Sequence, residues 1–272
     1  MNPLCANTPI NIFQFKRNSY EKSGLICILL HHNDPYLRLG PFKLEALHLN
    51  PEIAIIHEFA SSEEIKKIKD LARGRMKCTP YFIKGTENES SKERTSKIMY
   101  MNEYVVPDAM TLSRKIEKAT KFNLYNEKFA SENYQIMNYG IGGTISPHVD
   151  SESVFKEELP DGSLTTENLL FGGPRFVTFM IFLSSVEAGG HTVFPQAEIS
   201  VKPVEGSALY WFNMDAQNNL DSRIRHLGCP VLFGNKWIAN KWVKWLPNFK
   251  QYPCLIDQKN YSIFQQQLSN KL

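Results

Sequence analysis

Residues 175–195 read RFVTFMIFLSSVEAGGHTVFP. The run 176–183 is almost entirely apolar, the pattern of a strand covered on both faces and not of one with a wet side. Gly189-Gly190 and Pro195 punctuate the next segment, and residues 208–212 (ALYWF), 230–233 and 236–245 supply further short strand candidates. Upstream, residues 134–139 (YQIMNY) form another, closed by Gly140, Gly142 and Gly143. Between them, residues 151–174 make a polar loop, acidic at first and ending in Gly172-Gly173-Pro174. Short strands separated by glycine turns predict a β-sandwich or jelly roll, a double-stranded β-helix.

The first half of the chain has a different texture. Residues 53–59 (IAIIHEF) read as a buried strand behind Pro51. Ser61-Ser62-Glu63-Glu64 then has the form of a capping box, in which a serine and a glutamate three residues on satisfy free backbone donors. Ile65, Ile68, Leu71 and Ala72 come next at helical spacing and predict a helix over about 62–74. A second helix begins at Pro107 and carries Leu112, Ile116 and Ala119 on one face. The fold class is therefore α+β, a jelly-roll core with flanking N-terminal helices. Residues 1–50 alternate irregularly, and 84–97 read as a surface loop.

Bulk properties exclude more than they assign. The 272 residues are 42% hydrophobic and 22% charged, with a net charge of +3, as in an ordinary globular protein. No basic cluster interleaved with aromatics points to nucleic acid. No apolar run approaches the ~18 residues that span a bilayer, and no apolar stretch comes after Met1 as a secretory leader would. Five widely spaced cysteines, Cys5, Cys27, Cys78, Cys229 and Cys254, lack the CxxC spacing of a zinc knuckle.

His148-Val149-Asp150 is the first chemical signal. Residues two apart in a strand share a face, so an imidazole and a carboxylate converge. A second histidine would complete a two-histidine, one-carboxylate triad, which suits iron with open coordination positions better than a closed structural zinc site. His226, just ahead of the 230–233 strand, is the leading third ligand, and His191 is the rival in the same half. His31, His32, His48 and His57 lie outside it. The second signal is 236–245 (KWIANKWVKW), whose alternation puts Lys236, Ile238, Asn240 and Trp242 on one face. Trp237, Ala239, Lys241 and Val243 share the other. A buried Lys236 ammonium needs an anionic partner, which a dicarboxylate would supply; a solvated lysine at a strand end is the equal alternative.

The segment from Tyr139-Gly140 through His148-Val-Asp150, the stretch 175–195, RHLGCPVLFGNKWIANKW (225–242) and Cys254 together resemble the catalytic domain of collagen prolyl 4-hydroxylase alpha subunits. PYLRLGPFKLEALHLNPEI (35–53) resembles the entry to that domain. The resemblance implies an iron and 2-oxoglutarate dioxygenase domain over residues 25–254, with an N-terminal extension at 1–24 and a tail at 255–272. It makes His148, Asp150 and His226 the iron ligands and Lys236 the partner of the far carboxylate of 2-oxoglutarate. Tyr139, Thr192 and Trp242 match positions lining the cosubstrate pocket. The cofactor set it implies is Fe(II), 2-oxoglutarate, O2 and L-ascorbate.

The implied reaction is hydroxylation of peptidyl proline in a proline-rich or collagen-like peptide. The resemblance also implies a Cys229–Cys254 disulfide, the endoplasmic reticulum lumen and a protein disulfide isomerase-type beta subunit. Family subunits are about twice as long, with dimerisation and peptide-binding regions and a leader not seen here. Phe182, Ser185 and His191 also replace more usual residues. A non-collagen peptide substrate and a truncated, non-catalytic binding protein are the alternatives. Lys241, on the far face of its strand, is expected to tolerate alanine at little cost to catalysis, as a control for Lys236.

Overall fold

The computed structural model describes residues 27–78, 96–125, 128–151, 171–215 and 217–250. The elements that build the site are β1 (Cys27–Leu30), α1 (Pro35–Leu39), β2 (Phe42–Leu49), β3 (Glu52–His57), α2 (Ser62–Arg73), β4 (Lys77–Cys78), β5 (Lys97–Met101), α3 (Pro107–Thr120), β6 (Tyr134–Tyr139) and β7 (Ile145–His148). They continue as β8 (Arg175–Phe182), β9 (Ala188–Gly189), β10 (Thr192–Phe194), β11 (Ile199–Val201), β12 (Ala208–Phe212), β13 (His226–Gly228), β14 (Val231–Phe233) and β15 (Lys236–Lys244).

Nine strands form one antiparallel sheet in the order β1-β2-β3-β12-β8-β15-β6-β5-β4, and four form a second, β11-β10-β13-β7. β9 and β14 make a separate two-stranded ribbon. The two larger sheets are the walls of a jelly roll, with α2 and α3 on the outside of the larger one. β8 lies at the centre, between β12 and β15, which is why its sequence is apolar on both faces. Its alternate residues divide the core. Phe179, Ile181 and Leu183 join Ile65, Ile68, Leu112 and Ile116 beneath the helices. Met180 and Phe182 join Phe194, Trp211 and Ile238 between the sheets.

The expected local signals are present in α2. Ser61 Oγ accepts from the Glu64 N–H while the Glu64 carboxylate accepts from the Ser61 N–H, and Ile65, Ile68 and Ala72 are buried. The helix ends at Arg73, one residue earlier than its spacing predicts. α3 starts with Pro107 at its first turn, where a missing N–H costs nothing.

The stretch 27–50 is more ordered than its irregular pattern suggests. β2 pairs with both β1 and β3, and its alternation of Leu44 and Ala46 with Lys43 and Glu45 is a strand signal. A break in register between Ala46 and His48 hides the alternation further along. The expected extension at 1–24, the tail at 255–272 and most of the 84–97 loop lie outside the described residues.

Candidate active site

β13 and β7 are antiparallel neighbours in the small sheet, and their register places His226 directly across from His148. The imidazole centroids are 4.3 Å apart. β7 ends at His148, so Asp150 stands just beyond the strand and not within it. The chain still returns the carboxylate to the pair, with Oδ1 3.5 Å from His148 Nε2 and Oδ2 3.8 Å from His226 Nε2. The ligating atoms of all three lie within 4.8 Å of one another. His191 is outside this group; among the described residues the convergent set is His148, Asp150 and His226.

Both rings are held the same way. His148 Nδ1 lies 2.9 Å from the Ser146 carbonyl and His226 Nδ1 lies 3.1 Å from that of Ile224. A carbonyl only accepts, so each Nδ1 carries the proton and each Nε2 presents a lone pair to the shared point. Burial drives the His226 imidazole down to about 4, against the attraction of Asp150. Burial works against ionising Asp150 too, but the electrostatic pull of His226 and His148 and the hydrogen bonds from His148 and Thr178 outweigh it. The carboxyl is held far below its usual range. Two neutral imidazoles and one carboxylate, all aimed inward, fit a divalent transition metal with open positions.

Lys236 opens β15 on the face that looks between the sheets and is only 4% exposed. The solvated alternative is thereby overturned. Its ammonium donates to Thr192 Oγ1 at 3.0 Å, and no carboxylate of the described residues pairs with it. Burial alone pushes it down from 10.5 to about 7. Tyr139 lies across from Lys236 on β6, its ring centroid 5.9 Å from Nζ. A cavity of about 290 Å³ joins these groups to the triad, lined by Tyr139, Thr192, Lys236, His148, His226 and Trp242 among others. Lys236, Ile238, Asn240 and Trp242 all border it, as the alternation requires.

A buried cation at one end and a metal-binding triad at the other suit a small dicarboxylate that also chelates the metal. Asn240 and Trp242 line the same cavity, and Asn240 Oδ1 and Trp242 Nε1 are buried without a hydrogen-bond partner among the described residues.

Lys241 faces away from the cavity, as a control for the cosubstrate role of Lys236 should, and it is fully buried, bonded to the Glu103 carboxylate and set 4.7 Å over the Tyr134 ring. Alternation assigned its face correctly but could not reveal that helices cover that face too.

Several site residues escaped sequence reading. Arg175 lines the cavity: it grips both Glu132 oxygens at 2.7 Å, donates to the Asp150 carbonyl and stacks 3.6 Å over Trp242. Thr178 donates to Asp150 Oδ2 at 2.8 Å. Thr178 was detectable, being the one polar residue in the apolar run of β8. Cys27 and Cys78 are exposed free thiols, Cys229 is buried, and Cys5 and Cys254 lie outside the described residues.

Residues 134–244 match the family model of the 2OG-Fe(II) oxygenase superfamily. The chain is 37% identical over 235 residues to human prolyl 4-hydroxylase subunit alpha-3, covering 86% of this chain and 41% of that subunit. It is 33% identical over 239 residues to subunit alpha-2 of Caenorhabditis elegans, covering 88% and 42%. The chain thus spans about two fifths of the length of the curated relatives it matches. The viral collagen prolyl hydroxylase of Paramecium Bursaria Chlorella virus-1, solved with 2OG, superposes with a TM-score of 0.51 at 24% identity. That match covers 71% of this chain and 95% of the viral one, and it establishes the shared fold.

Proposed function

We propose that this chain, whose residues 134–244 match the family model of the 2OG-Fe(II) oxygenase superfamily, is a member of it and hydroxylates peptidyl proline at the expense of 2-oxoglutarate and O2. The single observation that carries the reading is one cavity bounded by the His148–Asp150–His226 triad and by a buried lysine without a carboxylate partner among the described residues. The relatedness to prolyl 4-hydroxylase alpha subunits supports peptidyl proline as the substrate. The same relatedness supports collagen-like sequences, ascorbate as a protective reductant, a beta-subunit partner and an endoplasmic reticulum setting. A Cys229–Cys254 bridge would accompany that setting. Among the described residues no helix is long and apolar enough to cross a membrane.

His148, Asp150 and His226 would hold Fe(II) through two Nε2 lone pairs and one carboxylate oxygen. Bound iron with 2-oxoglutarate supplies the oxidising power for inserting one oxygen atom into a C–H bond. The chain's own part is to bind, orient and exclude water. Lys236, oriented by Thr192, would neutralise the far carboxylate of the cosubstrate in a dry pocket where such a pair is stronger than in water. Tyr139 would close one side of that pocket. Asn240 Oδ1 accepts and Trp242 Nε1–H donates, so this stretch of wall can meet the donor and acceptor of a peptide group. Arg175, locked on Glu132, would hold the Trp242 ring in place.

The test is incubation of the full chain with Fe(II), 2-oxoglutarate, ascorbate and proline-rich peptides, read by mass spectrometry. A gain of about 16 Da on proline, with matching succinate, is expected. Succinate formation with no peptide gain would move the substrate elsewhere. Neither product, with metal bound, would remove the catalytic reading.

A further inference from the structure

Behind the triad lies a hydrogen-bond chain that the metal ligands do not themselves explain. Trp211 Nε1 lies 3.0 Å from Asn213 Oδ1, Asn213 Nδ2 lies 2.9 Å from Thr178 Oγ1, and Thr178 Oγ1 lies 2.8 Å from Asp150 Oδ2. Trp211 is 1% exposed, and Thr178 and Asn213 are 0% exposed.

The polarity of the chain is set at its far end. An indole N–H can only donate, so Asn213 must turn its carbonyl oxygen to Trp211. Its amide nitrogen then faces Thr178 and donates there. The threonine oxygen is thereby used as an acceptor, and its own proton can point only onward, to Asp150 Oδ2. Each residue's orientation is dictated by the one before it, from a tryptophan that is itself wedged against Phe194 and His226 at 5.2 and 4.7 Å. Two strands share the work. Thr178 and Trp211 are paired across β8 and β12, and Asn213 comes directly after β12, its N–H bonded to the Phe176 carbonyl at 2.8 Å.

We propose that Thr178, Asn213 and Trp211 are positioning residues whose one-way relay occupies Asp150 Oδ2 and so presents the carboxylate to the metal through Oδ1 alone. A carboxylate free to turn would bind through both oxygens and consume a coordination position. The relay therefore sets how many positions stay open as well as how firmly the metal is held. The inference rests on the reading of His148, Asp150 and His226 as the metal site, and it concerns residues to which that reading gives no role.

Co(II) titration of the metal-free full chain, monitored through its visible d–d bands, tests both the inference and its premise. Thr178→Val keeps the shape and removes the hydroxyl. It should weaken Co(II) binding by about 10–100-fold, the usual effect of losing a partner behind a metal ligand, and change the position and intensity of the bands. Thr178→Ser restores the hydroxyl and should restore both. Asn213→Asp has no N–H to give, so the Thr178 proton turns toward it and away from Asp150; this variant should resemble Thr178→Val. Thermal melting of each metal-free variant shows whether it is folded, and Thr178→Ser keeps the comparison informative if one variant is not. Wild-type affinity and bands in folded Thr178→Val would overturn the relay. A Co(II) signal that survives His226→Ala would instead overturn the metal site beneath it.

Discussion

Lys236 and His226 are the residues on which the site turns, and each makes a separable prediction. Lys236 bears the cost of burial without an ion-pair partner among the described residues, so its ammonium sits near 7. A bound dicarboxylate stabilises the charged form and raises that value. Below pH 7 the lysine is already charged and cosubstrate affinity should be flat. Above pH 7 binding must also take up a proton, so affinity should fall by up to about tenfold per pH unit. The stability consequence has the opposite slope. The unfolded chain holds the proton between about 7 and 10.5 where the folded chain does not, so the penalty is full below 7 and fades as pH rises toward 10.5.

Lys236→Ala should abolish the pH dependence and raise the 2-oxoglutarate requirement severely while leaving metal binding largely intact. Lys236→Arg should recover only part of the loss, since the guanidinium is longer and planar. Equal 2-oxoglutarate titration curves for wild type and Lys236→Ala would rule the role out. His226→Ala, like His148→Ala and Asp150→Ala, should end turnover, and pairs of them should be strongly non-additive. His191→Ala should remain active. The reverse result for the two histidines, in a turnover assay, would reassign the third ligand.

At the scale of the element, β15 is two strands in one: a site face and a structural face. Lys241 on the structural face pairs with Glu103 beneath the helices, and both are almost fully buried. Removing one member of such a pair leaves a charge without compensation and costs about 3–5 kcal/mol. Lys241→Ala should therefore lose that much in urea unfolding. Lys241→Met with Glu103→Leu, which removes both charges, should recover most of it. A Lys241→Ala protein with wild-type stability would show that Glu103 finds another partner. In this strand a register slip of one residue would turn each lysine to the opposite face, which is why burial on both faces specifies the pairing so strongly.

The whole molecule couples its two sheets through the site. His148 and His226 come from the small sheet, while Lys236, Thr178 and the wall carrying Trp242 come from the large one. A metal held at the small sheet, or a cosubstrate reaching from it to Lys236, stabilises only the folded arrangement. With metal and 2-oxoglutarate each at saturating levels near 100 times their Kd, each should add about 2.7 kcal/mol. That corresponds to a rise in Tm of several degrees for a domain of this size. Calorimetry of wild type and His226→Ala checks it: the variant should lose the metal increment, and an undiminished increment would place the metal elsewhere.

Much of this was legible in the residues alone, and the reason is local. The apolar run of β8 announced a strand covered on both sides, Ser61 and Glu64 announced the start of α2, and the alternation of β15 separated Lys236 from Lys241. Periodicity and capping are properties of neighbouring residues, so they survive in the one-dimensional text. The likeness to prolyl 4-hydroxylase alpha subunits was carried by the motifs around His148, Gly189 and His226. His226 was already ahead of His191 in the sequence, but only tertiary structure gives the reason, a cross-strand register between β7 and β13 that joins His148 to His226, 78 positions apart. It alone buried both lysines of β15, one against a cavity and one against a glutamate 138 residues away. It alone assembled the relay from Trp211 to Asp150, since hydrogen bonds between side chains on different strands exist only once the sheets have packed.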